Sequence, residues 1–181
     1  MSTHNVACRV LGASLAALVL AQAHAQQGPG LGVEIAPADL VPWDISIQPD
    51  GEGLPPGSGD AATGAEIYAA KCLACHGEQG VGGPNDRLVG GHGTLTQLAQ
   101  VRTIGSFWPQ ASTVFDYIRR AMPFQSPQSL SNDEVYALTA YLLALNGIID
   151  EDDAMNARTL ARVEMPNRGG FILAYPERAD R

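Results

Sequence analysis

The stretch "KCLACHGEQG", Lys71–Gly80, places two cysteines three positions apart and a histidine directly after the second. The chain holds three cysteines and four histidines in all. Near its start, "VLGASLAALVLA" (Val10–Ala21) follows Arg9 and leads into "AHA" (Ala23–Ala25). A weakly positive start, a short apolar stretch and small residues before a cleavage point make residues 1–25 an export signal. The run is short of the ~20 residues that span a bilayer. No transmembrane segment is expected after cleavage, and a retained anchor is the alternative. Cleavage before Gln26 leaves Cys72, Cys75, His76 and His92 as the cysteines and histidines of the exported chain.

That inventory narrows the chemistry. A disulfide between Cys72 and Cys75 would close a tiny loop and stabilise little. A thioredoxin-like pair needs a strand before it, whereas "TGAEIYAAKC" reads as a helix. Structural zinc takes four ligands, often from two separated pairs, and there is no second pair. C-x-x-C-H is the attachment signature of c-type haem. Two thiols about one turn apart reach the two vinyl groups of a porphyrin, and the next imidazole points at the iron. Cys72 and Cys75 are therefore the expected thioether positions, and His76 the proximal iron ligand.

A haem that transfers electrons takes a second axial ligand. Met122 ends the amphipathic stretch "STVFDYIRRAM", and Pro123 stops that helix at once. A thioether is thus presented from a fixed position, far enough along the chain to reach the other haem face. Met122 is the expected sixth ligand. Met155 lies among acids and reads as partly exposed packing, and Met165 falls in a glycine-containing tail. His92, in "GGHGTL", reads as an ordinary loop residue. Pro84 is a candidate to orient His76 through its carbonyl, or a plain loop proline. With both axial positions filled, no catalytic residue is expected.

Acids outnumber bases by 19 to 11, and only Lys71 among the bases is a lysine. The exported chain keeps 19 acids and 10 bases, a formal charge of −9. No basic stripe exists to neutralise phosphates, so nucleic acid is excluded as a partner. The acidity serves solubility, or steers the chain to a basic partner.

The expected fold is all-α: a small helical domain over residues 61–147, wrapped round one covalent haem. Its first helix runs from about Ala61 to Ala74, with Gly64 and Tyr68 on one close-packing face. The glycine-rich loop after the haem motif wraps the cofactor. The last helix opens on a capping box, Ser131 with Glu134. It carries Val135, Leu138, Tyr141, Leu142 and Leu145 on one face and stops at Asn146–Gly147. The first and last helices are expected to cross. Residues 26–60 hold seven glycines and six prolines, and read as an extended arm unable to form helix. Within it "WDISI", Trp43–Ile47, alternates like a short strand or an extended docking segment. Residues 148–181 form a second extension. Either arm hugs the domain surface or meets a partner through Trp43 and Phe171.

"KCLACHG" with "AMP" resembles class I cytochrome c over roughly Ala61–Gly147. The longer segments "WDISIQPDGEGLPPGSG", "TIGSFWPQASTVFDYIRRAMPF", "QSLSNDEVYALTAYLLALNGII" and "MPNRGGF" are similar to the cytochrome subunit of the Sox sulfur dehydrogenase. They also resemble the haem subunits of molybdenum sulfite dehydrogenases. The resemblance covers nearly all of the exported chain. It implies a periplasmic electron-transfer subunit with one haem c, held by Cys72, Cys75, His76 and Met122. Its partners would be a molybdenum-containing sulfur-compound dehydrogenase subunit and a soluble cytochrome c acceptor. Larger Sox subunits continue into a second haem domain, whereas one C-x-x-C-H is present here, so a single-haem relative is expected. The alternative is a free periplasmic shuttle with unrelated partners. Arg119 and Arg120 are either propionate partners or a solvated helix face.

Overall fold

The computed structural model describes residues 30–172, 174 and 175; the export signal lies outside them. The chain divides between Asp44 and Ile45 into two compact units.

In the first unit, α1 (Pro37–Leu40) is a single helical turn, where sequence reading expected no helix. Pro37 sits at the position where a fixed φ suits a helix start and a missing N–H costs nothing. The Asp39 carboxylate accepts a bond from Ala36 N at 3.2 Å. Trp43 N and Asp44 N both donate to the Leu40 carbonyl, so the turn closes there.

The second unit begins with an extended segment and then orders β1 (Ser58–Gly59), α2 (Ala61–Lys71), α3 (Leu73–His76) and a 3-10 turn at Glu78–Gly80. It continues with α4 (Ala111–Ala121), α5 (Asn132–Leu145), β2 (Met155–Asn156) and α6 (Ala157–Leu160). "WDISI" forms no strand. Its alternation survives as inward-leaning Ile45 and Ile47 between exposed neighbours.

Helix α2 starts where the Asp60 carboxylate caps Thr63 N at 2.8 Å, which holds the Asp60 carboxyl below the usual range. It ends three residues earlier than expected. Cys72 departs from helical geometry (φ −123°, ψ −34°), and α3 begins as a separate turn. Helix α5 has the expected box: Ser131 Oγ accepts from Glu134 N, and the Glu134 carboxylate accepts from Ser131 N at 2.8 Å. It ends at Asn146, followed by Gly147 at φ +64°.

Helices α2 and α5 make the most extensive helix contact in the unit, as expected from the Gly64–Tyr68 face. Helix α5 is buried on nearly every side rather than along one stripe: Val135, Tyr136, Ala137, Leu138, Thr139, Ala140, Leu142 and Leu143 are all inside. Helix α2, helix α4 and β1 each cover part of it. Phe115 of α4 meets Tyr136 with ring centroids 4.4 Å apart. Each such fully buried side chain contributes roughly 1.5–3 kcal/mol of transfer free energy.

Both flanking segments complete this core. Tyr136 Oη donates to Pro55 O, Ser112 Oγ to Pro49 O and Ser58 N to Asp133 Oδ1, each at 2.8 Å. Strands β1 and β2 pair antiparallel, Ser58 opposite Asn156 and Gly59 opposite Met155. That pairing draws Met155 into the core at 4% exposure, correcting the reading of a partly exposed residue. Met165 is equally buried, at 3%. Asn167 Nδ2 donates to Phe107 O at 2.8 Å, fastening the C-terminal stretch to the unit.

Candidate haem site

A cavity of about 440 Å³ opens between α3, the loop after it, α4 and α5. Ile104, Val114, Ile118, Leu130, Leu138 and Leu142 give it apolar walls. Cys72, Cys75, His76 and Met122 all line it. Four side chains spread over 51 positions of sequence thus share one concave, mostly apolar space of the size that takes a cofactor.

The cysteine side is set by the break at Cys72. Leaving the helix there and restarting at Leu73 puts Cys72 and Cys75 at the two ends of one turn, both as free thiols. Burial pushes the Cys72 thiol up to about 11, against the pull of the neighbouring Lys71 cation. The unreacted thiol is therefore neutral inside the cavity at physiological pH. Gly77 turns the chain directly after His76, with φ +76°. A Cβ there would run into the Gly82 carbonyl, so the position needs glycine. Gly82 N closes the turn on His76 O at 3.0 Å.

His76 Nδ1 lies 2.8 Å from the backbone carbonyl oxygen of Asp86. The carbonyl only accepts, so Nδ1 carries the proton and Nε2 is left with a lone pair for a metal. Pro84 lines the cavity, but the carbonyl that orients His76 belongs to Asp86, two residues on. Of the two readings of Pro84, the orienting role falls to Asp86 instead, because the fold of a glycine-rich loop decides which carbonyl turns inward.

Met122 has extended geometry (φ −118°, ψ 147°) just past the end of α4, as a residue before proline prefers. Its N–H still closes α4 on Ile118 O at 3.0 Å. Arg119 and Arg120 are absent from the cavity lining. Arg120 instead pairs with Asp116 at 2.7 Å and donates to Ile45 O at 2.8 Å. His92 is also outside the lining; its Nε2 lies over Gly105.

Two residues that hold the site were not singled out by function. Tyr68 lines the cavity and donates to Gly77 O at 2.8 Å; burial pushes its phenol up to about 12. Asn146, read as a helix stop, is buried and clamps the loop. Its Nδ2 donates to Leu142 O (2.8 Å) and Leu88 O (3.3 Å), and its Oδ1 accepts from Gly90 N (3.0 Å).

Apolar walls, two free thiols one turn apart and an imidazole with Nε2 available fit a covalently held haem. The comparisons agree. Residues 59–142 match the family model described as cytochrome C oxidase, cbb3-type, subunit III. The crystal structure of the sulfane dehydrogenase SoxCD from Paracoccus pantotrophus is 44% identical, with a TM-score of 0.76, over 84% of this chain and 76% of that one. A search of curated proteins gave no match. The chain belongs to the class I cytochrome c family, close to the cytochrome of sulfane dehydrogenase. Its cofactor is covalently bound haem c, and its activity is electron transfer. No helix of the described residues is long and apolar enough to cross a membrane.

Proposed function

We propose that this cytochrome is exported to the periplasm by the signal at residues 1–25. There it serves as the electron-accepting subunit of a molybdenum-dependent dehydrogenase of sulfite or sulfane sulfur. Residues 61–147 form the haem domain, with residues 26–60 and 148–181 as its flanking arms. Cys72 and Cys75 would form the thioethers, and His76 and Met122 would be the iron ligands. The observation that carries the reading is the likeness to sulfane dehydrogenase along 84% of the chain, combined with those four side chains around one cavity.

The bound haem supplies a one-electron couple. The protein's residues do the rest: the apolar walls exclude water, the Asp86 carbonyl fixes the His76 ring, and Met122 would supply the thioether ligand to the iron. Thioether and imidazole ligation together favour a high potential. Two protein ligands leave no iron position for a sulfur substrate, so its oxidation belongs to the molybdenum subunit. A soluble cytochrome c takes the electrons onward.

The test mixes purified cytochrome with sulfite or a sulfane-sulfur donor, with and without the cognate molybdenum protein. Rapid haem reduction is expected only when that protein is present. Reduction by an unrelated dehydrogenase at the same rate, with no molybdenum protein binding, would establish the free shuttle instead.

A further inference from the structure

The cavity lining is electrostatically unlike the rest of the chain. The full chain carries a formal charge of −8, yet Lys71, Arg87 and Arg102 line the cavity with Asp86 as the only carboxylate. Three cations around an apolar space call for a ligand with negative groups. Haem c brings two carboxylates, which leave the ring from the edge opposite the vinyl groups.

Lys71 is already used. Its Nζ pairs with Glu134 at 2.6 Å, and it directly precedes Cys72, at the thioether side. Arg87 and Arg102 come from the loop instead. Their segments are joined by the bond from Ile104 N to Leu88 O at 3.2 Å, which puts the two arginines on neighbouring loop segments of the cavity wall. Arg87 uses only Nε among the described residues, on Val81 O at 2.9 Å. Its two terminal nitrogens are left for a carboxylate. Arg102 uses Nε and one terminal nitrogen on Gln100 Oε1, and lies 5.2 Å above the Phe107 ring. These contacts aim its guanidinium while leaving one terminal nitrogen unspent.

We propose that Arg87 and Arg102 hold the two haem carboxylates of this cytochrome, an inference that rests on the covalent-haem reading. A guanidinium fork matches a carboxylate better than any other side chain. The pair explains why two of the few arginines of an acidic chain stand at this cavity, while the Arg119–Arg120 dipeptide faces elsewhere.

The test uses the full holo-cytochrome with Arg87→Gln, Arg102→Gln, the double variant and Arg102→Lys. Arg158→Gln, exposed and outside the lining, is the charge-matched control. Haem retained through denaturation checks attachment separately; a chain without covalent haem overturns the underlying reading as well. Removing a cation near the iron favours the ferric state, so each Gln variant should lower the reduction potential, the double variant most. Arg102→Lys should recover most of the Arg102→Gln shift. The carboxylate bending modes in resonance Raman should move in both Gln variants, which a purely structural role would not produce. If potential and carboxylate modes match those of Arg158→Gln, the proposal is wrong.

Discussion

Gly64 of α2 lies against the backbone of Ala137 in α5 so closely that a Cβ on Gly64 would overlap the Ala137 carbonyl. The contact sets the spacing of the two helices, and α2 leads straight into the cysteine turn. Gly64→Ala should therefore force the helices apart and cost about 1–3 kcal/mol, as overpacking does. Gly169 has open space where a Cβ would go and an ordinary backbone, so Gly169→Ala should stay within ~0.5 kcal/mol of the parent. Guanidinium unfolding of both variants checks this. Equal midpoints would mean that α2 and α5 are not tightly seated.

Three methionines lie within the second unit, and their surroundings separate their roles. Met122 lines the cavity, whereas Met155 and Met165 are buried in the core and absent from its lining. Met122→Ala should remove the weak near-infrared band that a thioether gives with ferric haem, and should lower the potential. Met155→Ala and Met165→Ala should each cost about 2–5 kcal/mol by leaving a core void, with the band intact. Loss of the band in either of those, and its survival in Met122→Ala, would reassign the ligand.

The parts legible in sequence are those whose information is local. C-x-x-C-H is read within five residues, the Ser131–Glu134 box within four, and Met122–Pro123 at a helix end. What escaped depends on contacts between distant segments. Met155 is buried because β2 finds β1 nearly a hundred residues earlier, and nothing in "DDAMNARTL" announces that partner. The amide of Asn146 clamps a loop that begins more than fifty residues upstream. Asp86, not Pro84, meets His76, and between them Gly77, Gly80 and Gly82 at positive φ let the loop turn in ways no periodicity records. The stripe on α5 was understated for a related reason: its other faces are covered by α4 and by the proline-rich segment, whose own pattern carries no helix or strand signal.

The segment before β1 belongs to the second unit by its hydrogen bonds. Ile45, Pro49 and Pro55 carbonyls accept from Arg120, Ser112 and Tyr136. A chain starting at Ile45 should keep its haem spectrum and unfolding midpoint. One starting at Asp60 should lose stability, since each hydrogen bond contributes about 0.5–1.5 kcal/mol net and the apolar packing of Ile47 and Leu54 goes with them. Parallel denaturation curves of the two truncations decide it. Equal midpoints would show the segment to be a dispensable arm.

Lys71 and Glu134 tie the residue before the cysteine turn to the start of α5, with Nζ and Oε1 2.6 Å apart. The Lys71 ammonium, and then the Ser131 N–H, hold the Glu134 carboxyl below its usual range. A folded-state pKa below the unfolded one means that stability is fully present above the unfolded carboxylate value. It is lost as pH falls through the lowered folded value. Glu134→Gln removes the charge while keeping an amide that can still accept from Ser131 N. The wild type should exceed this variant in stability at neutral pH, and the gap should close on acidification. Both partners are partly exposed, so salt should shrink the gap as well. Urea curves of the two proteins across a pH series, at low and high salt, measure it. A gap that stays constant into acid would show that neither the pairing with Lys71 nor the ionised form of the Ser131 cap contributes to the difference.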